Sequence, residues 1–108
     1  MMMKIIHPLL FSTLFFSSHS FATVGGPQNI EVLGLCEANI DLAKDKAASL
    51  GIERAYIFED LLKDSEIECV HVCTPNFLHY SQSKALLLAG KHVVCEKPLA
   101  TKIEEAEE

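Results

Sequence analysis

Three short stretches carry side chains able to do chemistry. Glu37 follows the apolar run IEVLGLC, Thr74-Pro75-Asn76 follows ECVHVC, and Glu96-Lys97-Pro98 follows HVVC. Each lies just past a run of strand-forming residues. In open α/β sheets that is where ligands bind, outside the carboxyl ends of the strands. Taken singly, these residues say little. A lysine before proline is ordinarily a solvated surface side chain, and a carboxylate opening a helix is stabilised by the helix dipole.

Cys69, His71 and Cys73 alternate along one run, so their side chains share one face of a strand. A straight strand spreads that trio over about 13 Å, too wide for ligands ~2.0–2.3 Å from one zinc ion. They are read as core residues, and no metal is assigned. The same ~13 Å excludes a disulfide between Cys69 and Cys73, whose Cα atoms would have to lie within about 7 Å. With Cys36 and Cys95 also in apolar runs, buried reduced thiols are expected.

Strands and helices alternate around these residues. A strand at 30–36 leads to Asn39, a helix N-cap, with Asp41 at the positive helix end. Ala43, Ala47 and Leu50 follow at helical spacing, with Lys44 and Lys46 expected outward and Gly51 as the stop. A strand at 55–58 precedes a short helix opened by Asp60. A strand at 68–74 is halted by Pro75, and a helix is expected over 78–89 with Leu86, Leu87 and Leu88 on its buried side. A strand at 92–95 follows, and Thr101 to Glu104 fits a capping box that starts another helix. Apolar strands alternating with helices predict a parallel sheet covered on both faces, with right-handed crossovers and a doubly wound α/β layout.

Composition narrows the function. The 108 residues allow one small domain. Nine Lys+Arg against fifteen Asp+Glu give a net charge of −6 with no basic run, which disfavours nucleic acid as a partner. Four of the last five residues are Glu, the exposed start of a helix. Residues 1–23 read differently. One charge at Lys4, a mostly apolar stretch over 5–16 and a small-residue end at Ser20-Phe21-Ala22 look signal-like, though they also fit a segment foreign to the domain. The apolar stretch is shorter than the ~20 residues a membrane-spanning helix needs. The domain itself is assigned to 24–108. A cytoplasmic location is expected, because export would expose its thiols to oxidation.

The segment TPNFLH, a helix, and then AGKHVVCEKPLA resembles the N-terminal domain of the glucose–fructose oxidoreductase / inositol dehydrogenase (Gfo/Idh/MocA) family. The resemblance implies a Rossmann domain and hydride transfer between NAD or NADP and a sugar, polyol or related alcohol. It implies that Lys97 is the catalytic residue, reaching the substrate hydroxyl and the nicotinamide ribose in general acid–base work. Thr74 and Pro75 would lie along the nicotinamide, supported by Asn76 and His79. Glu96 and Pro98 would complete the cofactor-binding set, with Pro98 fixing Lys97 through a cis Lys97–Pro98 bond. Glu37 matches the acid that binds the adenine ribose hydroxyls. A carboxylate there repels a 2′-phosphate, which favours NAD.

The chain departs from that pattern at its front. The ribose acid should lie ~20 residues beyond a G-x-G-x-x-G turn, and residues 7–18 hold no glycine. The expected fold is therefore a partial doubly wound parallel sheet, Rossmann-like, lacking its first strand and Gly-rich loop. In the 3-2-1-4-5 strand order the missing strand is central. Pro8 marks residues 5–16 as a poor substitute. Open edges on the 30–36 and 68–74 strands would then invite self-association. The expected function is an inactive fragment of an NAD(P)-dependent oxidoreductase. The alternative is a small exported or membrane-associated non-enzymatic protein, or an interaction fragment.

Overall fold

The computed structural model describes residues 2–8 and 30–108. The elements run β1 (Met2–Pro8), β2 (Ile30–Cys36), α1 (Ile40–Leu50), β3 (Arg54–Tyr56), α2 (Phe58–Lys63), β4 (Cys69–Cys73), α3 (Asn76–Leu88), β5 (His92–Cys95) and α4 (Ile103–Glu107). Among the described residues the strands form one sheet in the order β3-β2-β1-β4-β5. The flanking pairs β2/β3 and β4/β5 are parallel, as the alternation of strands and helices predicts.

The centre of the sheet corrects the sequence reading. The place expected to be empty is taken by β1, which runs antiparallel to both β2 and β4. The inner edges of those two strands are therefore paired rather than open. Pro8 does not prevent this. Pairing with β4 covers only Met2 to Ile6, so the residue without an N–H lies beyond the doubly paired stretch. The register against β2 slips once. Ile5 faces Gly34 and Ile6 faces Val32, leaving Leu33 as the extra residue of a bulge. The rest of the signal-like segment lies outside the described residues.

Two clusters cover opposite faces of the sheet, because successive strand residues point to opposite sides. Leu35 packs with Ala43 and Ala47, one helical turn apart on α1. Cys36, Val70 and Val72 pack instead with Leu61 of α2 and Leu86 of α3. Asn39 caps α1 as expected, its Oδ1 accepting from the backbone N–H of Asp41 at 2.8 Å and of Leu42 at 3.3 Å. Gly51 ends α1 at φ 68°, a left-handed conformation that suits glycine. Gly34 serves a different need: a Cβ there would come within 2.4 Å of the Tyr56 ring.

Other boundaries shift for local reasons. Helix α3 begins at Asn76, immediately after Pro75, rather than at Leu78. Its buried face is His79, Ser83 and Leu86, at helical spacing. Leu87 and Leu88, expected on that face, are rotated away and exposed. Helix α2 begins at Phe58, which shortens β3. Lys102 occupies the cap position of α4 with no side-chain cap bond, so the expected capping box does not form. None of the four cysteines is disulfide-bonded, but only Cys36 is fully buried. Among the described residues no helix is long and apolar enough to cross a membrane.

Candidate functional site

Strands β2 and β4 both run antiparallel to β1, so they are parallel to each other, and β3 and β5 run with them. All four flanking strands therefore deliver their carboxyl ends to one edge of the sheet. Glu37, Thr74 to Asn76 and Glu96 to Pro98 emerge there. The sequence reading placed these residues at strand ends, and the sheet brings the ends to a common edge.

On the β2 side of this edge lies a cleft of about 360 Å³. Glu37 and Ala38 line it at the end of β2, Ile57 and Phe58 after β3, and Thr74 and Gln82 from the β4–α3 segment. Glu37 is buried, with its backbone N–H donating to the Tyr56 carbonyl at 3.1 Å. Its Oε1 accepts from Lys46 Nζ at 2.6 Å. Burial pushes the Glu37 pKa up, but the Lys46 ammonium opposes it, and the net result lies below the usual carboxylate range. The adjacent Cys36 thiol is pushed up to about 12, by burial first and then by the Glu37 charge. Lys46 thus reaches the site instead of pointing outward. It sits three residues after buried Ala43 and four before Leu50, on the flank of the apolar stripe, and that spacing was the available signal.

The remaining predicted residues gather on the β4–β5 side, outside that cleft. The cis Lys97–Pro98 bond implied by the resemblance is present. His79, 1% exposed, sits between the two loops. Its Nδ1 lies 2.6 Å from the Pro98 carbonyl oxygen and its Nε2 lies 2.7 Å from that of Thr74. One ring therefore fixes the Thr74-Pro75 turn relative to the Lys97-Pro98 turn. Thr74 Oγ1 donates to Gln82 Oε1 at 2.6 Å, a further tie from the loop to α3. Glu96 is anchored through its backbone N–H to the Val72 carbonyl at 3.0 Å, and its Oε1 lies 2.8 Å from His71 Nε2. Pro75, Asn76, Glu96, Lys97 and Pro98 are exposed, and Thr74 is half-buried.

Sequence reasoning missed a second supporting cation. Lys91 is buried, and its Nζ donates to the carbonyls of Asp64 at 2.6 Å and Ile67 at 2.9 Å. It ties the α2–β4 connection to the start of β5. A lysine between a glycine and a four-residue strand gives no sign of this in sequence, because its partners are backbone oxygens.

A Rossmann-type α/β layer with polar turns gathered at one strand-end edge defines the class: a nucleotide-binding domain. Residues 14–108 match the model of an oxidoreductase family with an NAD-binding Rossmann fold, GFO_IDH_MocA, and the chain belongs to that family. It is 38% identical over 79 residues to 1,5-anhydro-D-fructose reductase of Ensifer adhaerens, covering 72% of this chain and 24% of that protein. Among solved structures it resembles a levoglucosan dehydrogenase in complex with NADH and levoglucosan, at 40% identity and TM-score 0.63, over 67% of this chain and 20% of that one. It also resembles a 3-ketoreductase from Actinomadura kijaniata in complex with TDP-benzene and NADP, at 35% identity and TM-score 0.65, over 71% of this chain and 24% of that one. The chain thus spans about a quarter or less of the relatives it matches. These likenesses lend no support to the exported, non-enzymatic alternative.

Proposed function

We propose that this chain is the nucleotide-binding part of an NAD(P)-dependent oxidoreductase acting on a sugar- or polyol-like alcohol, and that it is inactive alone. The observation that carries the reading is the convergence of Glu37, Thr74-Pro75-Asn76 and Glu96-Lys97-Pro98 on one edge of the sheet, with His79 holding the latter two turns together. The reductase and dehydrogenase relatives support the reaction class. In this reading Lys97 exchanges the proton of the reacting hydroxyl, and Thr74, Pro75 and Asn76 border the nicotinamide. Glu96 and Pro98 set the position of Lys97, and Glu37 accepts hydrogen bonds from the adenine ribose.

The cofactor is NAD or NADP. The Glu37 carboxylate favours NAD by repelling a 2′-phosphate. The Lys46 ammonium on the same carboxylate offsets part of that repulsion, so the preference for NAD is weak. The test is a hybrid in which residues 30–108 are joined to a parallel first strand with a Gly-x-Gly-x-x-Gly turn, and to the substrate domain of a relative. Alcohol-dependent reduction of NAD by the hybrid, abolished by Lys97→Ala, is the expected result. Equal turnover in the Lys97→Ala hybrid would remove the role assigned to this lysine.

A further inference from the structure

We propose that His71, Cys73 and Glu96 form a binding site for a zinc-like divalent cation. Within strand β4 alone the spacing excluded a metal, because Cys69 and Cys73 lie too far apart. The sheet supplies a different third ligand. Val72 pairs with Cys95 across β4 and β5, so Cys73 and Glu96, the residue just past the end of β5, follow side by side. Cross-strand partners point to the same side of a sheet, and so do His71 and Cys73. The ligand atoms of His71, Cys73 and Glu96 all lie within 4.8 Å of one another.

The donor set suits a borderline-soft ion: an imidazole nitrogen, a thiolate sulfur and a carboxylate oxygen, with a fourth position for water. Bond lengths of ~2.0–2.3 Å put tetrahedral ligand atoms about 3.5 Å apart. Small side-chain rotations therefore close the set. The backbone beneath is already fixed, since the Glu96 N–H is bonded to the carbonyl of Val72, the residue between the two β4 ligands. Burial is graded from His71 at 6% exposure, through half-buried Cys73, to exposed Glu96, so the carboxylate faces the side from which an ion arrives. On binding, the metal–sulfur bond replaces the Cys73 S–H bond and that proton goes to solvent. The metal also replaces the hydrogen bond now linking His71 Nε2 to Glu96.

Cobalt(II) tests the site on the 108-residue chain, because cobalt–thiolate coordination gives a near-ultraviolet charge-transfer band and four-coordinate cobalt gives visible bands. Both are expected, and both should vanish on addition of Zn²⁺. Cys73→Ala should abolish the charge-transfer band, and Cys69→Ala should leave it unchanged. His71→Ala and Glu96→Gln should each weaken cobalt binding by about tenfold or more. Glu96 is exposed, so Glu96→Gln carries the test even where His71→Ala fails to fold. Absence of the bands in the unmodified chain, their survival in Cys73→Ala, or undiminished affinity in Glu96→Gln would overturn the assignment.

Discussion

The flanks and the centre of the sheet solve the same packing problem in opposite senses. In the flanks, β2/β3 and β4/β5 are parallel, and helices α1, α2 and α3 cover them. Their carboxyl ends carry Glu37, Thr74 and Glu96 to one edge. In the centre, β1 satisfies the backbone groups of both neighbours while running the other way. Met2 and Met3 lie opposite Cys73 and Cys36, so β1 begins at the site edge and its Pro8 end is at the opposite one. A parallel central strand would release the chain at the site edge, where a glycine turn and helix N-terminus can meet a pyrophosphate. This strand releases it on the far side. Backbone pairing can thus be complete while the central strand runs opposite to the four strands that flank it.

The largest effect is expected in the flank cores. Leu86→Ala should cost about 2–5 kcal/mol in denaturant unfolding, since Leu86 is fully buried. Leu87→Ala, one residue on, should stay within about 0.5 kcal/mol. Similar losses at both positions would mean that α3 is turned differently on the sheet.

Next comes the centre. Ile5 pairs with Gly34 on one side and Val70 on the other. Ile5→Pro removes a ladder donor between two strands and should cost about 1–3 kcal/mol for the acceptor left unpaired. An unchanged urea midpoint would show that β1 contributes nothing to the sheet.

At the site edge, His79→Leu leaves the carbonyls of Thr74 and Pro98 without the ring between them. A loss of about 1–3 kcal/mol is expected, with faster amide exchange confined to the two turns. Uniform exchange changes across the sheet would assign His79 to the general core instead.

The smallest effect is electrostatic. The folded pKa of Glu37 lies below its ordinary value. The stabilisation it provides is therefore present above the unfolded value of about 4.3 and lost as pH falls through the folded one. Lys46→Ala removes a cation that opposes the effect of burial, so that pKa should rise and acid unfolding should begin at a higher pH. A midpoint moved downward, followed by circular dichroism, would contradict this.

Most of the flanking architecture was legible because its signals are local. Asn39 and Gly51 bracket α1, apolar runs mark the strands, and Pro75 and Pro98 mark their ends. The strand-end residues were legible as a group because the family pattern and strand-end chemistry agree on them. What stayed hidden depends on contacts distant in sequence. The pairing of Met2–Pro8 is specified by backbone partners roughly twenty to seventy residues away. Its composition, with Lys4 and a terminal proline, gives no indication of a central strand. The leucine run at 86–88 misled because composition does not give helical phase, and 100° per residue separates a core side chain from a solvated one. Lys46, Lys91 and the His71–Glu96 contact were missed for the same reason: each pairing reaches a connecting segment elsewhere in the chain.

Among the described residues, the turns proposed to border the nicotinamide reach the site edge, while the central strand runs in the direction that delivers no pyrophosphate-binding turn there. Calorimetric titration of the 108-residue chain with NAD tests it directly. Loss of helix-terminus and backbone N–H contacts to the pyrophosphate removes several kcal/mol, at about tenfold per 1.4 kcal/mol, so binding weaker than ~1 mM is predicted. Micromolar binding by this chain would contradict the account, because the central strand would then have to supply what its direction denies.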